Sequence, residues 1–83
     1  MPTILFIYGW RLFFYSNEMN EPPHIHAEKA EMEAKFWLDV ESFEIRAVFL
    51  KRMKSRDERE LRKIIYLHIE YIIEQWNIFH GKN

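Results

Sequence analysis

Residues 21–28 read Glu-Pro-Pro-His-Ile-His-Ala-Glu, and His24 and His26, one residue apart, are the side chains in this 83-residue chain best suited to chemistry. Three uses fit such a pair. Imidazoles titrate near neutral pH, so the two can serve as base and acid in proton transfer. In metal-independent phosphodiester or RNA cleavage, one ring takes the proton of the attacking hydroxyl and the other protonates the leaving oxygen. A cation, Lys35 or Arg11, would then steady the phosphate, with Tyr15 beside the rings. The pair also offers two metal ligands, but zinc takes three or four. Glu28, Asp39, His68 and His80 are the candidates to complete a set, and none stands at a diagnostic spacing. In the third use, an imidazole that donates and accepts at once pins a polar loop such as residues 16–21 and does no catalysis. No serine or cysteine nucleophile stands beside a base in a recognisable pattern. The expectation is a site without a metal or cofactor.

These residues need elements to position them. Thr3 to Ser16 holds two runs rich in Ile, Phe and Tyr on either side of Gly9, which predicts a hairpin. The proline pair Pro22-Pro23 ends a polar loop and biases the chain towards extended geometry, so His24 to Glu28 enters as a third strand. A polar turn then leads to Ala34 to Val40, a fourth strand with Phe36 and Leu38 alternating against Lys35, Trp37 and Asp39. Residues 43–53 fit either a short strand or a helical turn. Beyond them, Ser55 with Glu58 makes a capping box, and one helix is expected from about Arg56 to Phe79, ended by Gly81. Leu61, Ile65, Ile69, Ile72, Trp76 and Phe79 form its core-facing stripe. His68 lies at the stripe's edge, able to point towards the sheet. Leu67, Tyr71 and Ile78 fall on nearly the opposite side and suggest contact with another chain, or are scattered surface hydrophobes.

Strand alternation sorts the faces. Ile25, Ala27, Phe36 and Leu38 turn towards the helix. Arg11, Phe13, Tyr15, His24, His26, Glu28, Lys35, Trp37 and Asp39 take the open side. Such a face can bind an anionic or aromatic ligand, with Arg11 and Lys35 holding charge and Phe13 or Trp37 stacking, or it can meet only water.

Composition bounds the function. At 83 residues, with 48% hydrophobic and 17% aromatic residues, the chain makes one small α+β domain: a sheet of about four antiparallel strands against one long C-terminal helix. Twelve basic against thirteen acidic residues give no global attraction to nucleic acid or anionic lipid. The lack of cysteine excludes disulfides and thiolate metal sites and fits a cytoplasmic protein; no run approaches the ~20 apolar residues of a membrane span.

The segments Met1-Pro-Thr-Ile, Arg11-Leu-Phe-Phe-Tyr-Ser-Asn-Glu, Pro22-Pro-His-Ile-His-Ala-Glu, Glu33-Ala-Lys-Phe-Trp-Leu-Asp and Gln75-Trp-Asn-Ile-Phe-His-Gly, in this order, resemble the small bacterial proteins grouped as domain of unknown function 4160. The stretch from Glu41 to Lys54 departs from that pattern. Pro22, Pro23, His24 and His26 match its signature, to which no catalytic role is attached. The resemblance implies a small antiparallel sheet crossed by a helix. It also implies a toxin–antitoxin-type component paired with a second small family, domain of unknown function 2442. The function expected is thus binding of a small protein partner or of itself, with a small ribonuclease or phosphodiesterase as the alternative and a metal-binding module behind both.

Overall fold

In this computed structural model, which describes residues 3–15 and 21–80, five strands pair in chain order into one antiparallel sheet. They are β1 (Thr3–Ile7), β2 (Trp10–Phe13), β3 (His24–Lys29), β4 (Met32–Asp39) and β5 (Glu44–Lys51). Two helices follow, α1 (Ser55–Leu67) and α2 (Ile69–Phe79). The connections β1–β2, β3–β4 and β4–β5 are short, and local backbone geometry explains why. Tyr8 and Gly9 both adopt positive φ, 52° and 82°, the signature of the two-residue turn whose twist suits a hairpin. At Gly9 an added Cβ would also press on the Lys29 side chain at 3.1 Å. Ala30 turns β3 into β4 at φ 54°, a conformation that strains a residue with a side chain. Between β4 and β5 the Asp39 carboxylate accepts the Glu41 and Ser42 amides at 3.0 and 3.1 Å. Those bonds, Ser42 first, hold the Asp39 carboxyl below its ordinary pKa.

The core lies between one sheet face and the helices. Trp10, Leu12, Phe14, Ile25, Phe36 and Leu38 meet Leu61, Ile64, Ile65, Ile69, Ile72, Ile73 and Trp76. Ala27 and Ala34 are register partners in mid-sheet, and their small side chains leave room there for the helices to seat. The buried indole of Trp10 donates to Glu60 on α1 at 2.9 Å. That bond, with help from Lys29, lowers the Glu60 pKa against the opposing effect of burial.

Several expectations need correction. There are five strands rather than four, because residues 44–51 extend along β4 instead of coiling into a helical turn. The helix starts one residue earlier than expected: Lys54 is the cap residue, and Asp57, not Glu58, reaches back to its amide at 3.1 Å. It is also broken once, at His68, whose amide is shared between the Ile64 and Ile65 carbonyls at 3.2 Å each. The ring turns inward, and Nε2 of His68 is buried without a hydrogen-bond partner among the described residues. Phe79, placed on the core stripe, is half exposed. Gly81 and most of the polar loop, residues 16–20, lie outside the described residues. No helix among the described residues is long and apolar enough to cross a membrane.

The two outermost strands are each met by a helix tyrosine. The Tyr71 hydroxyl donates to the Ile4 carbonyl at 3.4 Å, where β1 slips register. On the other edge the Tyr66 hydroxyl accepts the Ile45 amide at 3.4 Å and donates to Glu44 at 3.1 Å.

Candidate functional site

The sheet face turned away from the helices is built in rows that follow from the strand register. Opposed residues in an antiparallel ladder share a face. One row runs Thr3, Phe13, His26, Lys35, Phe49; the next runs Phe6, Arg11, Glu28, Glu33, Lys51; a third runs His24, Trp37, Arg46; and Asp39 sits beside Glu44. The open face expected from alternation thus brings together Arg11, Phe13, His24, His26, Glu28, Lys35, Trp37 and Asp39, and Tyr15 joins it through its ring contact with His26, centroids 4.6 Å apart.

The histidines, however, are not surface groups. His24 is 0% exposed and His26 only 8%. His24 opens β3 at the sheet's end, and there its ring meets His26 and Trp37 on the open side and Trp76 of α2 on the other, with centroids 5.1, 5.7 and 4.9 Å away. The expectation that both rings point wholly away from the helix is corrected at His24, because the broad indole of Trp76 reaches it. Trp76 in turn stacks on His80 at 3.7 Å. Nδ1 of His24 lies 2.8 Å from the Pro22 carbonyl, which can only accept, so Nδ1 carries the proton and donates. His26 stacks on Phe13 at 5.4 Å and meets the edge of Tyr15.

The cations are also engaged. Lys35 donates to Glu21 at 2.7 Å and lies over Trp37; the same Glu21 oxygen is 3.8 Å from Nδ1 of His24. Arg11 pairs with Glu28 at 2.9 Å, donates to Thr3, and covers the face of Phe13 at 4.2 Å. A hollow of about 300 Å³ opens beside His26, bordered by Tyr15, Glu28, Glu33 and Phe49. A larger groove of about 860 Å³ runs past Trp37 and Arg46 among Asp39, Glu41 and Glu44. The ligand set His24, His26, Glu28 and Asp39 is not gathered: Glu28 is held by Arg11, and Asp39 caps a turn. Among the described residues no group of three or more His, Cys, Asp or Glu could hold a metal ion.

Of the helix residues expected to meet a partner, Leu67 and Ile78 stand out, 77% and 62% exposed. Tyr71 is exposed as well, and its hydroxyl reaches towards the Ile4 carbonyl of β1 at 3.4 Å. Sequence reasoning missed Phe6, Glu33, Arg46, Phe49 and Lys51 on the open face. For Arg46, Phe49 and Lys51 the signal was the alternation of residues 44–51, obscured by an extra residue at Val48 where β5 slips against β4.

The fold and face define a small α+β protein with a five-stranded meander covered on one side. The chain belongs to the family described as "Domain of unknown function (DUF4160)", whose family model matches residues 9–77. Comparison with curated proteins and with solved structures gives no match.

Proposed function

We propose that this chain is a cytoplasmic protein-binding component of toxin–antitoxin type, and that its uncovered sheet face takes a small partner protein. The observation that carries the reading is Phe6, 69% exposed, standing with Tyr15, Trp37 and Phe49 on a face of balanced charge. Its cations are Arg11, Lys35, Arg46 and Lys51, its anions Glu28, Glu33, Asp39 and Glu44. Aromatic anchors ringed by both signs of charge suit a protein interface. A nucleic-acid face draws on an excess of cations over anions.

The phosphodiester-cleaving alternative asks more of the same residues. A substrate phosphate would approach a hollow bordered by Glu28 and Glu33, and Lys35 would have to leave Glu21. The ranking therefore stays with partner binding.

The test is co-expression with a protein of domain of unknown function 2442, the partner implied by the family resemblance. Phe6→Asp with Trp37→Ala should abolish co-purification, while Leu67→Asp with Ile78→Asp should leave it intact. Retention of the complex by the first pair, or its loss only with the second, would refute the sheet face as the docking surface.

A further inference from the structure

The free edges of the sheet differ. β1 has five residues and β5 has eight; each slips register once against its neighbour, and Val48 and Phe49 of β5 are exposed. A long open edge is a template for another strand unless cover or charge blunts it. The Tyr66 contact covers β5 at one end, and at 3.4 Å it lies beyond the usual range for such a bond.

Charge on this strand has a particular arrangement. Laid antiparallel against itself, Glu44-Ile45-Arg46-Ala47 meets Val48-Phe49-Leu50-Lys51, so Glu44 faces Lys51, Ile45 faces Leu50 and Arg46 faces Phe49. In a regular strand this register is forbidden, because opposed residues must share a face and residues 47 and 48 point to opposite faces. The slip against β4 removes the obstacle. Arg46 pairs with Trp37 and Ala47 with Phe36, but Phe49 pairs with Lys35 and Lys51 with Glu33, which leaves Val48 as an extra residue. Glu44, Arg46, Phe49 and Lys51 therefore share the uncovered face, while Ile45, Ala47 and Leu50 share the core face. Every opposed pair outside the bulge then joins residues of one face. Hydrogen-bond phase agrees as well: the Ile45 amide points away from β4, towards Tyr66, and the extra residue brings Leu50 into the same outward phase.

The geometry points to a homodimer in which β5 pairs antiparallel with β5 of a second copy, about a two-fold axis at the Ala47–Val48 bulge. The two five-stranded sheets become one continuous sheet. A second copy is the fitting occupant because the complementarity is internal to the strand. Each two-fold contact makes the Glu44–Lys51 ion pair twice and sets Arg46 over Phe49 twice. The same charges oppose a stranger lacking this order.

Sedimentation equilibrium of the purified chain over a wide concentration range tests this, without any co-expressed partner, so its outcome is separate from that of the sheet-face reading. The wild type should approach twice 10.3 kDa. Glu44→Lys and Lys51→Glu each turn two attractions into two repulsions and should each weaken the dimer on the order of tenfold or more. The double exchange, Glu44→Lys with Lys51→Glu, should restore it. Both positions are exposed, and circular dichroism checks that the variants fold. A wild type that stays monomeric, a dimer indifferent to the single changes, or a double exchange no better than the singles would each overturn the proposal.

Discussion

Removing the His24 ring is the most informative single change, because it tests whether the imidazole holds the strand entry in place. In His24→Ala the fully buried ring leaves its edge contacts with His26, Trp37 and Trp76. Each aromatic pair is worth about 0.5 kcal/mol at the low end, so about 1.5 kcal/mol goes with them. The Pro22 carbonyl loses its 2.8 Å donor, about 1 kcal/mol more. Incomplete collapse of the vacated space brings the total to about 3 kcal/mol, in line with other large-to-small core changes. In a domain of this size that is a fall in Tm of roughly 12–24 °C. His24→Asn places an amide N–H where Nδ1–H stood and should regain about 1 kcal/mol of the loss. Urea unfolding at neutral pH, followed by tryptophan fluorescence, reads both variants at constant m-value. A loss below about 1 kcal/mol for His24→Ala, or an Asn variant no better than Ala, would refute the view that this ring pins the strand entry.

Two further perturbations follow from local geometry. Ala30→Gly relieves a left-handed backbone at φ 54° and should raise the urea midpoint by about 0.5–1 kcal/mol of stability; an unchanged or lower midpoint would count against strain in that turn. Glu60 has a folded pKa below its ordinary value, so its contribution is present above the unfolded pKa near 4.3 and is lost as pH falls through the folded one. Glu60→Gln keeps an acceptor for Trp10 but cannot titrate, and its stability between about pH 5 and pH 2 should fall less steeply than that of the wild type.

The parts of the fold that were legible in the sequence are those where one signal dominates. Gly9 between two aromatic runs specified the first hairpin, and Ile25 and Ala27 against His24, His26 and Glu28 specified which side of β3 is buried. Residues 44–51 were ambiguous for a physical reason: the bulge at Val48 interrupts alternation, so the apolar positions Ile45, Ala47 and Leu50 follow neither a period of two nor of 3.6. The helix pattern ran across His68 because one nonhelical residue barely shifts the phase of the apolar stripe. At the candidate site, alternation identified the face correctly but not its depth. Burial of His24 depends on Trp76, which lies 52 positions along the chain, and strand periodicity carries no trace of it. Tyr71 was placed with Leu67 and Ile78 by helical angle alone, and its bond to Ile4 depends on where the helix crosses the sheet.

The order of the elements has a bearing on how the chain is made. Strands β1 to β5 pair only with their sequence neighbours, and both helices come after them. Short-range pairing favours rapid folding, and synthesis proceeds from the N-terminus. The meander can therefore pair before α1 and α2 dock to cover Leu12, Ile25 and Phe36. For that interval an apolar sheet surface and both sheet edges are open together, with neither Tyr66 nor Tyr71 yet in place. A chain truncated after Lys54 would keep that surface open, and residues 55–79 serve as its closing cover.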